Sequence, residues 1–344
     1  MRLITFLHPE TRQPRPGALL TCAPHPQSDS PSADESVVDL EAACTWAAGA
    51  AGISREEIPA SLTELIYAGE EKLAYLRRVL AEAATAGDPA RLKGAGHRPV
   101  GFARASVRLL APLQPISLRD AYAFERHVKT ASDNRNRSVP EEWYKFPIFY
   151  YSNPFTVFGA EATIPRPRYT QVLDYELEIA AVIGKGGQNL GAEEAASHIF
   201  GFTIFNDWSA RDIQRQEMKA GLGPAKGKDF ASSLGPCILT VDELSDRTTG
   251  RPGVFDLAMT ARVNGETRSQ GNFKEIFWSF GEILARISEA CPIFPGEVIG
   301  SGTVGSGCLL ELTKGEGPWL QPGDVVELEI ERIGTLRNRI QNDK

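Results

Sequence analysis

No stretch of the chain approaches the ~18 consecutive apolar residues that a membrane span requires. The amino terminus, MRLITFLHPE, is apolar for only a few residues before His8 and Pro9, too short for a secretory signal. Cysteine is scarce: Cys22, Cys44, Cys237, Cys291 and Cys308 are odd in number and far apart, and none forms a C-x-x-C pair. A core of this size needs no disulfide staples, so each is expected as a small buried hydrophobe in a reducing cytoplasm. Positive charge is also short, 37 Lys and Arg against 44 Asp and Glu, for a net −7. That disfavours a nucleic-acid surface and leaves a small molecule as the expected partner. What is present is ordinary globular composition, 42% apolar and 24% charged over 344 residues, enough for two domains.

Residues 12–35 are rich in Pro, Ser and Asp and predict a loop. From Val37 to Gly87 the pattern is helical. Ser61 and Glu64 form a capping-box signal, Leu73, Leu76 and Leu80 follow on one face, and Gly87 is a stop. The texture changes near residue 105, which predicts a partly helical amino-terminal domain (1–105) and a second domain (106–344). The second shows short apolar alternations at 172–183, 200–205, 236–241, 255–263, 307–313 and 324–333, without internal repeats. Asn264-Gly265 predicts a hairpin, and Ile276, Phe277, Phe280, Ile283, Leu284 and Ile287 an amphipathic helix. The expected class is α+β, mainly β: a rolled mixed sheet or sandwich, with a small amino-terminal α/β domain.

In VLDYELEIAAVIG (172–184), strand alternation sets Asp174, Glu176 and Glu178 on one face, which turns apolar at Ala180 and Val182. Two glutamates so spaced lie ~7 Å apart at the backbone and could grip one cation. They could equally line a solvated edge. Glu327, Glu329 and Glu331 share the spacing opposite a single apolar face, the pattern of a half-exposed strand. GFTIFNDWSARDIQ predicts a strand entering a helix, with Asp207 at the junction as ligand or cap and Ser209-x-x-Asp212 as a capping-box-like start. Asp120 is likewise a ligand or a helix N-terminal residue. All-oxygen ligation suits Mg²⁺, Mn²⁺ or Ca²⁺ rather than zinc.

His8, His25 and His97 lie in loops, and His198 ends an Ala-rich helix. His127 follows Asp120 by seven residues; it is either a core or solvated histidine, or one that approaches a metal-bound substrate. GSGTVGSG (300–307) contains G-x-G-x-x-G, but CLLEL predicts a strand after it, so the dinucleotide reading fails. Glu311 in that apolar segment should be buried and partnered, in a salt bridge or a site.

These segments, with GKDFASSLGP and VNGETRSQGN, resemble the fumarylacetoacetate hydrolase family from about Val107 to the carboxyl end. The resemblance implies the rolled β fold of that family's C-terminal domain, a divalent cation (Mg²⁺ foremost, Mn²⁺ or Ca²⁺ otherwise) and a homodimer. It implies metal ligands at Asp120, Glu176, Glu178 and Asp207, a catalytic His127 oriented by Glu311, and Lys228 at the oxyanion. Substrate contacts fall on Tyr122, Tyr150, Gln214 and Thr303. Met218 stands where a substrate-contacting tyrosine is expected, and an arginine after the histidine falls on Arg135 or Arg137. The implied activity is metal-dependent hydrolysis of a carbon–carbon bond in a diketo acid, fumarylacetoacetate or an acylpyruvate, in aromatic catabolism. The alternatives are a 2-oxo acid decarboxylase, dehydratase or isomerase at the same site, or a non-catalytic binding protein.

Overall fold

The computed structural model describes residues 1–21, 35–94, 97–134 and 136–343. Among them, twelve strands form one large sheet. Its centre is Arg2–Leu7, Ser232–Thr240, Ile199–Asp207, Glu178–Ile183, Val298–Gly300, Leu118–Ala121 and Phe149–Ser152, in that spatial order. Pairing is antiparallel except where Val298–Gly300 runs parallel to Leu118–Ala121 and where Val157–Phe158 joins Ser232–Thr240. The boundary expected near residue 105 falls between Gly101–Ala103 and Arg108–Leu109, both members of this sheet.

The central strands are apolar on both faces because both faces are covered. Ile179, Ala181 and Ile183 join one core with Met259, Ala261, Leu328 and Ile330 of a five-stranded sheet. Ala180 and Val182 point the other way, into a core with Leu65, Leu76 and Val79 from the amino-terminal helices Leu62–Tyr67 and Gly69–Thr85. The protein is thus mainly β, with helices packed outside the sheets. Asn264 and Gly265 both take positive φ and close the hairpin between Ala258–Val263 and Glu266–Asn272, as a two-residue primed turn requires. Val325–Ile330 buries only Val326, Leu328 and Ile330, the half-exposed strand expected there.

Several expectations fail. Pro14–Thr21 is a strand, not loop; its partner Arg2–Leu7 satisfies the backbone despite two prolines. The rest of that stretch, with Cys22 and His25, lies outside the described residues, as does Arg135. The helical region opens with a strand, Glu35–Asp39, before Asp39 caps Leu40–Ala50. Ser61 accepts from Glu64 N–H, but the Glu64 carboxylate accepts from Ala60 N–H rather than closing the box. The amphipathic helix is Phe280–Ser288, started later than expected by a full capping box of Ser279 and Glu282. Cys44, Cys237 and Cys308 are buried, whereas Cys291 is exposed. Leu309–Leu312 is a short helix, not a strand.

Candidate metal and acid–base site

The segment expected as one strand over 172–183 is interrupted. Leu173–Asp174 pairs with Ser209–Ala210, Glu178–Ile183 lies in the large sheet, and 175–177 belong to neither. In the gap Glu176 N–H donates to Asn206 Oδ1 (3.0 Å), while Leu177 exchanges backbone hydrogen bonds with Gly307 O (3.0 Å) and Val304 N–H (3.1 Å). The glycine-rich loop therefore lies along the two glutamates. Gly302, at φ +76°, turns its N–H to both Asp120 Oδ1 (3.0 Å) and Glu178 Oε2 (3.1 Å). A Cβ there would meet Ala121 O at 2.6 Å, so the close approach requires glycine. The loop's N–H groups are taken by protein acceptors: Gly302 and Gly307 donate to carboxylates, Ser301 and Val304 to backbone carbonyls.

Asp120 sits on the strand Leu118–Ala121, opposite Gly300, and not on a helix. Asp120, Glu176 and Glu178 are all buried, and each offers an oxygen within 4.8 Å of the others. Asp207 ends the strand Ile199–Asp207 and caps nothing; the helix Arg211–Ala220 starts after Ala210, which has no side chain able to cap it, and Asp212 in its first turn accepts from Thr170 Oγ1 and Gln171 N–H. The Tyr150 hydroxyl stands between Asp120 Oδ2 (2.9 Å) and Asp207 Oδ2, with one proton for the two. Lys228, 4% exposed, puts Nζ 2.5 Å from Glu176 Oε2 and 2.7 Å from Asp207 Oδ2. Thr303 Oγ1 is 3.5 Å from Glu178 Oε1, and Gln214 Oε1 accepts from Arg211 at 3.1 Å.

Electrostatics divide these groups. Burial, then the charge of Asp207, pushes Asp120 up to about 7. Burial, with Asp120 and Glu176 beside it, holds Glu178 well above the carboxylate range. Burial also raises Asp207, against Lys228. Glu176 goes the other way: burial opposes it, but the charges of Lys228, Arg211 and His127 hold it well below its usual value. Lys228 stays a cation, since Asp207 and Glu176 outweigh its burial. Four acidic side chains thus face one ammonium and the Arg211 guanidinium, and Asp207 Oδ1 is buried without a partner. An all-oxygen set short of positive charge fits a hard divalent cation.

His127 is on the helix Glu125–Asp133 and Glu311 on Leu309–Leu312. Nδ1 of His127 lies 2.9 Å from Glu311 Oε2, at ion-pair distance without hydrogen-bond alignment. Gly307 N–H donates to the same oxygen at 3.1 Å. Tyr122 stands edge-on to the imidazole, ring centres 5.3 Å apart. Met218 and Arg137 are exposed. Sequence reasoning missed Arg211 and the role of Asp174. The signal was present: Asp174 shares strand parity with both glutamates, and Arg211 stands four residues beyond Asp207.

A match to the C-terminal domain of fumarylacetoacetate (FAA) hydrolase spans residues 117–341. The chain belongs to the fumarylacetoacetate hydrolase family. An oxaloacetate tautomerase of Bacillus subtilis is 28% identical over 311 residues, 89% of this chain and 93% of that one. A mitochondrial oxaloacetate tautomerase of Homo sapiens is 30% identical over 82% of this chain and 80% of its own. A fumarylacetoacetase of Arabidopsis thaliana is 29% identical, over 60% of each. Among solved structures, a fumarylacetoacetate hydrolase of Exiguobacterium antarcticum superposes over the whole of both chains with TM-score 0.68 at 24% identity, a likeness of fold. Family enzymes generally bind a divalent metal, and the acidic groups here are positioned to hold one. No helix among the described residues is long and apolar enough to cross a membrane.

Proposed function

We propose that this protein is a divalent-cation-dependent enzyme that interconverts the keto and enol forms of a 2-oxo dicarboxylic acid of the oxaloacetate type. The observation that carries it is the pairing of a buried three-carboxylate cage with a buried histidine faced by its own carboxylate. The extent of the two tautomerase matches, over most of both chains, supports it. Asp120, Glu176 and Glu178 would hold the cation, with Asp207 alongside; when bound, it supplies a Lewis acid for the oxygens of a 2-oxo acid. Glu311 faces Nδ1 of His127 at 2.9 Å, and a small turn of the imidazole would align an Nδ1–H bond to it that sets the tautomer and leaves Nε2 to move the proton at the carbon beside the oxo group. Lys228 supplies fixed positive charge against the enolate, and Tyr122, Tyr150, Gln214 and Thr303 bind the substrate.

A second reading, hydrolysis of a diketo acid, draws on the same dyad, with His127 taking its proton from water. One experiment separates the two. Enol–keto equilibration of oxaloacetate is followed by ultraviolet absorbance with Mg²⁺, with and without chelator, beside cleavage assays on fumarylacetoacetate and acylpyruvates. Chelator-sensitive equilibration with total oxaloacetate unchanged supports the tautomerase. Recovery of two acids from a diketone supports the hydrolase, and the absence of both results overturns both readings.

A further inference from the structure

Beside the oxygen cage lies a second cluster of different chemistry. His127, Cys308 and Glu311, all buried, each offer a ligand atom within 4.8 Å of the others. His127 Nδ1 is 2.9 Å from Glu311 Oε2, and Cys308 Sγ is 3.7 Å from the same oxygen. Tetrahedral zinc, at ~2.1 Å from nitrogen and oxygen and ~2.3 Å from sulfur, sets ligand–ligand edges of ~3.3–3.6 Å. Small side-chain shifts would reach these. Two atoms of the cluster, His127 Nδ1 and Glu311 Oε1, are buried without a hydrogen-bond partner. Three protein ligands leave one tetrahedral position open.

We propose that His127, Cys308 and Glu311 form a thiophilic metal site whose occupation by Zn²⁺ inhibits the enzyme. Ligand softness sorts the ions, with Mg²⁺ to the carboxylate cage and Zn²⁺ to the site with sulfur and imidazole. Binding exchanges the Cys308 thiol proton for a zinc–sulfur bond; the proton leaves to solvent and no electron is transferred. The bound ion withdraws His127 and Glu311 from proton transfer. This inhibitory effect rests on the role proposed above for His127, whereas the binding does not.

The test uses the full chain in saturating Mg²⁺ and the variant Cys308→Ser, which keeps a hydroxyl donor toward Glu311. Titration with Co²⁺ should give a near-ultraviolet thiolate-to-cobalt band in the wild type, removed by Zn²⁺ and missing in the variant. Zinc should suppress wild-type turnover, and its inhibition constant should be weakened in Cys308→Ser by at least the ~10- to 100-fold that loss of an outer-shell partner costs, with turnover in Mg²⁺ alone retained. Absence of the cobalt band in the wild type, or equal zinc inhibition of both proteins, overturns the site. A cobalt band with turnover untouched by zinc overturns the inhibition and also the assignment of His127. Because the band needs no substrate, failure to find a substrate leaves the binding test decisive.

Discussion

Asp174 and Arg211 form a buried ion pair, Oδ2 to Nε at 2.9 Å, that joins three separate pieces of the site. Asp174 also accepts from the N–H groups of Leu309 (2.8 Å) and Leu310 (3.0 Å), so it caps, from across the chain, the short helix bearing Glu311. Arg211 extends to Glu176 Oε1 at 2.9 Å. Removing one partner of such a pair leaves the other charge buried and unmatched, at a cost of ~3–5 kcal/mol. Asp174→Ala should therefore lower the denaturation midpoint strongly and also reduce cation content, while Asp174→Asn keeps part of the cap and loses less. An unfolding free energy for Asp174→Ala within ~0.5 kcal/mol of wild type would remove Asp174 from this role.

The same pair marks where sequence legibility ended. Alternation over 178–183 and 325–330 was readable because the face each residue takes is a local property of a strand. Asn264-Gly265 was readable because the turn is made by those two residues alone. The residues expected at the site by resemblance were found through motifs, and Asp120, Glu176, Glu178, Tyr150 and Lys228 do converge in space. The helix at Leu309–Leu312 was not readable: a four-residue segment is too short to show a helical period, and its first N–H group is satisfied by Asp174, 135 residues earlier. Ser209 and Asp212 look like a cap, yet Asp212 is engaged by Thr170, a contact no local pattern contains.

Gly300 bears on the cage through space alone. A Cβ there would collide with Asp120 Oδ1 and would lie 2.7 Å from the Phe205 ring. Gly300→Ala should displace Asp120 and weaken cation binding by roughly 10- to 100-fold, with ~1–3 kcal/mol of overpacking cost. Gly49→Ala, in the helix Leu40–Ala50 with open space around its Cβ position, is the control and should be neutral or stabilising. Calorimetric Mg²⁺ titration of both variants checks this; unchanged affinity in Gly300→Ala would separate Asp120 from the ion.

Acid–base work by His127 separates from cation holding. His127→Gln should lower kcat by ~10²- to 10⁴-fold, the usual contribution of a positioned proton carrier, with cation content unchanged. Glu311→Gln keeps an oxygen for Gly307 N–H but loses the charge beside the imidazole, so its kcat should fall less. Cation content is measured on the same samples. A His127→Gln protein with full turnover would end the assignment.

The raised carboxyls give the cation a pH dependence of definite sign. Asp120 is pushed up to about 7 and Glu178 is held well above the ordinary carboxylate range, both chiefly by burial, against ~4 in an unfolded chain. Between those values the cation-free native state holds more protons than the unfolded state, so its stability declines as pH rises through this range. Glu176, held low by Lys228 and Arg211 against its burial, takes no part there. Binding a divalent ion expels the protons, so affinity must strengthen as pH rises. The cation-free protein should therefore melt lower at about pH 8 than at about pH 6, while the increase in Tm produced by Mg²⁺ grows over the same interval. Glu178→Gln removes one titrating group and should flatten the trend, and an Mg²⁺ effect equally steep in that variant would place the ion outside this cage.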